Sequence, residues 1–215
     1  MRLVLLGAPG SGKGTQAQRM QSRHGVPQVS TGDLLRAAIA AGTPLGRAAK
    51  VVMDAGHLVA DDTMLGIIRE RLARPDAARG FILDGFPRTI AQAEGLGKLL
   101  GELGVALDAV VLMEIDREVL LRRLAGRRSC RRCGKVFHLE NNPPRHGETC
   151  TDGKPHDLVQ RPDDTSTTMR QRLEIYDERT QPLIDYYAKK KMLRRVDADG
   201  TLDEVDARLE SVLKR

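Results

Sequence analysis

Arg2 to His24 reads RLVLLGAPGSGKGTQAQRMQSRH, and this stretch constrains the fold more than any other. Arg2–Leu6 is a brief apolar run of the kind a buried parallel strand needs. It empties into GAPGSGKGT, Gly7 to Thr15, followed by a helical stretch that Gly25 stops. Strand, glycine-rich loop, lysine and helix in that order make a phosphate-binding loop. Gly7, Gly12 and Lys13 satisfy its G-x-x-x-x-G-K spacing. The glycines let backbone N–H groups turn inward around phosphate oxygens, and the helix N-terminus adds its dipole. Lys13 supplies a mobile positive charge. One departure stands out: Gly14 intervenes before the hydroxyl residue Thr15, which the standard motif places directly after lysine. A glycine-rich turn with a surface lysine is the plain alternative, and the strand and helix on either side argue against it.

Composition narrows the choice of partner. Of 215 residues, 30% are charged and 40% hydrophobic, which fits a soluble globular protein with one core. There is no Trp, and Phe and Tyr number three each, so stacking on splayed bases is a poor main activity. The net charge of +6 suits an anionic partner, whether polymer or small phosphorylated molecule. The apolar run Leu3–Leu6 is too short for a signal peptide or a membrane span, so a cytoplasmic protein without membrane association is expected. Three cysteines in a reduced compartment read as metal ligands before disulfides.

Further along, strands are expected at Arg2–Leu6, Pro27–Val29, Gly80–Asp84, Ala109–Ile115 and Met192–Val196. Helical stretches separate them, including Asp61–Arg74 (capped by Asp61 or Asp62), Asp116–Gly126 and Asp163–Lys190. Alternation of this kind implies an α/β fold: a five-stranded parallel sheet with helices on both faces and ligands at the strands' carboxyl ends. Two insertions interrupt it. Residues 30–59 hold two short helical segments, and residues 127–161 are basic, turn-rich and contain every cysteine. The core is then 1–29, 60–126 and 162–215.

GAPGSGKGT, STGDLLR (Ser30–Arg36) and LDGFPRT (Leu83–Thr89) together resemble the nucleoside monophosphate kinases, and specifically the adenylate kinases. That family places Gly between the loop lysine and Thr. The resemblance spans essentially the whole chain and is similar to the long-lid type, in which an insertion follows GRR, here Gly126–Arg128. It implies a P-loop fold and Mg²⁺-dependent transfer, ATP + AMP to 2 ADP, that keeps adenine nucleotides in balance. A monomer with small-molecule substrates and no nucleic-acid partner is implied as well. Residues 30–59 become the AMP-binding subdomain and 127–161 the lid. Nucleotide contacts fall on Gly10, Ser11, Gly12, Lys13, Gly14 and Thr15.

Such a reaction needs neutralisation, alignment and water exclusion rather than a general base, because the acceptor phosphate is already nucleophilic. Arginines answer that need. By resemblance Arg36 and Arg88 grip the acceptor phosphate, Arg123, Arg161 and Arg172 converge on the transferring phosphates, and Arg127 lies near the donor. Arg123 and Arg127 are four apart and share a helix face if the helix persists. Arg161 and Arg172 are eleven apart, about three turns. Asp84 ends the apolar strand FILD, where it can orient Mg²⁺ through water. Asp33 is a weaker second acid, equally suited to a helix N-cap. The family's monophosphate pocket maps onto Thr31, His57, Leu58, Val59, Gly85, Phe86, Pro87, Arg88 and Gln92. Gln92 can pair with an adenine edge through its donor and acceptor together. Backbone at Val136, Phe137 and Gly200 lines the donor adenine.

Residues 127–161 carry eight basic and four acidic residues, so +4 of the chain's +6 sits there. Val136, Phe137, Leu139, Leu158 and Val159 are nearly all its apolar content, and so small a piece needs a staple. Cys130, Cys133 and Cys150 match the family's zinc-bearing lids, whose fourth ligand is Cys or Asp three residues after the third. Position 153 is Gly. Asp152 is the expected replacement, since Gly153 follows it as Gly134 follows Cys133. His156 is the rival, with His138, His146, water or no metal behind it. A pyrimidine monophosphate kinase, a kinase with relaxed donor choice, and a zinc-ribbon nucleic-acid-binding ATPase are the competing functions. GFPR and TGDLLR have no role in the last.

Overall fold

The computed structural model describes residues 1–214. Arg215, the end of the third core segment, lies outside the described residues. Five parallel strands form the central sheet: β1 (Arg2–Leu6), β2 (Gln28–Ser30), β3 (Phe81–Asp84), β4 (Ala109–Glu114) and β8 (Leu193–Asp197), in the order β2-β3-β1-β4-β8. Each expected strand is present, within a residue or two at its ends. Parallel strands buried on both faces read as continuous apolar runs, and β1 divides its residues accordingly. Val4 and Leu6 pack with Leu83, Val110 and Leu112 against α4 (Asp61–Leu72) and α5 (Ile90–Glu102). Leu3 and Leu5 pack with Ile82, Val111 and Met113 against α1 (Lys13–His24) and α9 (Leu202–Leu213).

The register sets the active edge. Leu5 and Ser30 both lie level with Asp84, so the phosphate loop leaves the sheet beside that carboxylate. β1 sits between β3 and β4, and the chain departs to opposite sides of it, which opens a crevice at the carboxyl ends.

Two units project from this edge. α2 (Thr31–Ala40) and α3 (Pro44–Asp54) form a helical hairpin, capped by Ser30 and Thr43. Asp33 is not the cap. Its N–H donates to Ser30 Oγ, and its carboxylate pairs with Arg36 at 2.6 Å. Residues 127–159 carry the strands β5 (Arg127–Cys130), β6 (Val136–His138) and β7 (Leu158–Val159), a small antiparallel sheet in the order β6-β5-β7. Its core is Cys130, Phe137 and Cys150 with Cys133 and Leu158 packed on them, whereas Leu139 is 52% exposed and contributes nothing.

Three local expectations are corrected. α4 has no side-chain cap, because Asp61 turns instead toward Thr89 and Gln92. α6 (Arg117–Gly126) stops before Arg127, whose backbone is extended, so Arg123 and Arg127 do not share a helix face. The long helix expected from Asp163 starts only at Ser166, after a tight turn at Pro162–Asp164, and runs on as α7 (Ser166–Ile175), a π-helical turn at Tyr176–Thr180 and α8 (Pro182–Lys189). Arg161 precedes all of them in extended conformation and shares no helix with Arg172.

Gly46 shows how tightly the hairpin packs. A Cβ there would overlap the Ala38 carbonyl, which is backbone and cannot yield. Gly46→Ala is expected to lower stability by about 1–3 kcal/mol, seen as a reduced urea midpoint at unchanged m-value.

Candidate active site

Lys13 begins α1 and folds back over its own loop. Its ammonium donates to the carbonyls of Gly7 at 2.6 Å and Ala8 at 2.8 Å, and to Ser11 Oγ at 3.3 Å. Burial pushes its pKa down to about 7. Nearby Asp84 opposes that shift, while Arg88, Arg172 and Arg127 add to it. Gly14 has a steric reason visible only in space. A Cβ there would sit 3.2 Å from Asp84 Oδ2, so a side chain would crowd the carboxylate. Asp84 accepts from Gln28 Nε2 at 2.9 Å, and burial raises its pKa.

All seven cations picked from the sequence line one cleft of about 910 Å³: Lys13, Arg36, Arg88, Arg123, Arg127, Arg161 and Arg172. They arrive from the phosphate loop, α2, the turn after β3, α6, β5, the strand exit at Arg161, and α7. Burial lowers the pKa of Arg161 and of Arg172 to about 10, and neighbouring arginines press the same way. Like charges this close need counterions. Asp163 and Asp164, both buried, supply them. Asp163 accepts from Arg172 at 2.8 Å and lies 3.8 Å from Arg36, and Asp164 holds Arg127 through both carboxylate oxygens. Arg161 donates to Ser129 Oγ at 2.7 Å, Arg88 to the Gly85 carbonyl at 2.8 Å, and Arg123 to the carbonyls of Ala198 and Gly200.

The same cleft is lined by Gly10, Ser11, Gly12, Gly14, Thr15, Gly85, Pro87, Val136, Phe137 and Gly200. A smaller pocket beside it is lined by Thr31, His57, Leu58, Val59, Phe86 and Gln92, with Arg36, Arg88 and Arg172 shared between the two. The sequence-picked nucleotide residues are thus brought to two adjoining spaces. Gln92 meets them already engaged. Its oxygen accepts from the Arg88 N–H and its nitrogen donates to Asp61, each at 2.7 Å. Several supporting residues escaped sequence reasoning. Gln28, Ser129 and Thr180 are single polar residues without a motif. Thr180 is aimed by the π-helical turn, so that its hydroxyl donates to the Arg88 carbonyl at 2.9 Å. Asp163 and Asp164 open the helical stretch expected from the sequence, where acids are ordinary. Their place beside Arg161 in QRPDD was the available hint.

At the far end of the insertion, Cys130, Cys133, Cys150 and His156 bring one ligand atom each within 4.8 Å of one another. Cys130 Sγ and Cys150 Sγ are 3.8 Å apart, and Cys133 Sγ is 3.7 Å from His156 Nδ1. Three sulfurs and one imidazole nitrogen at such spacings fit a tetrahedral zinc-type set. Asp152, the expected fourth ligand, lies outside this cluster. The second knuckle is indeed a shortened turn, closed by Gly153 N–H to the Cys150 carbonyl. Within it, however, Asp152 accepts from the Lys154 N–H and faces Arg132. His156 comes in from beyond the turn, stacked against Phe137 with centroids 4.6 Å apart. His138, another rival, accepts from the Glu140 and Asn141 N–H groups.

A phosphate loop at the carboxyl edge of a parallel sheet, facing a cleft ringed with arginines, defines a P-loop phosphotransferase. Comparison with known proteins narrows the class. A family model described as adenylate kinase matches residues 5–192. The adenylate kinase of Nitrosococcus oceani is 49% identical over 214 residues, covering 100% of this chain and 99% of that protein. That of Geotalea daltonii is 50% identical over 214 residues, covering 100% of both, and that of Archaeoglobus fulgidus 48% over 215, covering 100% and 99%. The chain belongs to the adenylate kinase family.

The pKa of Lys13 has a measurable consequence. With that pKa lowered to about 7, Lys13 is expected to be largely neutral in the free protein at pH 8, whereas bound phosphates favour the charged form. Calorimetric titration with ATP at pH 8, in buffers of different ionisation enthalpy, is expected to read uptake of about one proton that Lys13→Met lacks. Affinity is expected to fall as pH rises above about 7.

Proposed function

We propose that the chain catalyses ATP + AMP ⇌ 2 ADP as a monomer in the cytoplasm. One observation carries this reading: cations from seven separate segments of one chain surround a single cleft that adjoins a pocket holding Thr31 and Gln92. No second chain is needed to complete such a set, and a reducing compartment keeps the three free thiols available. Among the described residues no helix is long and apolar enough to cross a membrane.

The residues divide the work. The phosphate loop and Lys13 hold the donor phosphates, with Arg123 and Arg127 beside them. Arg36 and Arg88 hold the acceptor phosphate, and Arg161 and Arg172 lie between. The acceptor oxygen is already ionised, so alignment and charge neutralisation lower the barrier. Asp84 and Thr15 are hard oxygen donors at the loop and fit Mg²⁺, which supplies further neutralisation of the phosphates when bound. Residues 127–161 act as a lid over the donor and exclude water from it. Residues 30–59 form the AMP subdomain.

In the lid, Cys130, Cys133, Cys150 and His156 would hold zinc as a closed structural site. The cysteines anchor two turns and His156 the segment leading to β7, so the metal would tie together an insertion with a very small apolar core.

Coupled assays with AMP, UMP, CMP and GMP as acceptors test the reaction. AMP is expected to be preferred by well over tenfold, and a pyrimidine preference would overturn the assignment. Metal analysis tests the cluster. Purified protein is expected to carry close to one zinc, lost in His156→Ala and kept in Asp152→Ala, with chelation lowering the thermal midpoint of the lid's unfolding.

A further inference from the structure

Gln92 is 2% exposed, lies in the first turn of α5 and lines the acceptor-side pocket. An amide can be placed either way round, since its oxygen and nitrogen are nearly equal in size. Two neighbours remove that freedom. Oε1 accepts from the Arg88 backbone N–H, a group that can only donate. Nε2 donates to Asp61 Oδ1, and an ionised carboxylate can only accept. Asp61 is itself anchored: its Oδ2 accepts from the Thr89 hydroxyl at 3.1 Å, and Thr89 Oγ accepts the Gln92 backbone N–H at 3.1 Å. The network closes through α4, the turn after β3, and α5.

We propose that Asp61 is a positioning residue for base selection, fixing the direction of the Gln92 amide toward the acceptor base. The proposal rests on the acceptor reading above, in which Gln92 faces the base. With one bond committed at each end, the amide keeps a second lone pair on Oε1 and a second N–H on Nε2. It therefore presents an acceptor and a donor in a fixed order. Adenine offers the complementary edge, an exocyclic N–H beside a bare ring nitrogen. Hypoxanthine offers the reverse, a carbonyl beside a ring N–H. Turning the amide over would suit hypoxanthine. It would also set an NH₂ against the Arg88 N–H and a carbonyl against the Asp61 carboxylate, leaving buried polar groups unpaired. The Arg88 N–H is backbone and stays in place in every variant, so Asp61 is the part of the lock that substitution can remove.

The experiment measures kcat/KM for AMP and for IMP on the full chain and takes their ratio. Both acceptors are assayed on one preparation, so the ratio does not depend on how much of a variant is folded. Asp61→Leu and Asp61→Ala are expected to lower the ratio about tenfold. Asp61→Asn, whose amide oxygen still accepts from Gln92, is expected to keep it within about threefold of the parent. A merely structural role would weaken both acceptors together. A ratio within about twofold of the parent's in both Asp61→Leu and Asp61→Ala overturns the proposal. An Asp61→Asn ratio as low as that of Asp61→Ala overturns it too, because charge rather than bond direction would then set the preference. Gln92→Leu separates this proposal from the reading beneath it. An unchanged ratio there removes Gln92 as the reader of the base. A collapsed ratio there, with Asp61→Ala holding the parent value, removes only the role of Asp61.

Discussion

Repulsion among buried cations is the constraint on which the rest of the structure depends. Seven positive side chains around one cleft would push the chain apart if they were left unpaired in a poorly solvated space. Asp163 and Asp164 counter this from below, tying Arg172 and Arg127 to a tight turn. Those two carboxylates join α7 to the start of the insertion. Carbonyl oxygens of Gly7, Ala8, Gly85, Ala198 and Gly200 complete the pairing. Incoming phosphates can take over these bonds. The cleft is thus held together by the same kind of interaction it offers a substrate.

The insertion solves a different problem. Its buried apolar side chain is essentially Phe137, surrounded by cysteines, and that is too little hydrophobic burial to hold three short strands. Cross-linking donors therefore occupy the place of a core. Arg131 and Lys135 can then remain on the surface, while Arg127 and Arg161 turn into the cleft.

Much of the fold was legible from residue pattern. The five strands followed from short apolar runs, and the phosphate loop from glycine and lysine spacing, because both signals are local. GFPR and TGDLLR carried the family resemblance for the same reason. Helix continuity was less legible. The helix expected from Asp163 starts only at Ser166, because Asp163 and Asp164 are drawn to Arg172 and Arg127. Arg123 and Arg127 looked like one helix face, but the chain turns into β5 between them.

The sequence by itself determined the parallel sheet, the phosphate loop, the cationic character and three of the four clustered metal-type ligands. Each rests on spacing along the chain or on composition. Tertiary structure alone decided how these pieces meet. It chose His156 over Asp152, because Asp152 is used by its own turn and by Arg132, while His156 packs on Phe137 beside the thiols. It gave Gly14 a reason, the nearness of Asp84. It also revealed that Gln92 is aimed by Asp61 and Arg88, and that Thr180 supports Arg88 from a π-helical turn. Hydrogen-bond direction and counterion choice depend on neighbours distant in the chain, and only folding brings them together.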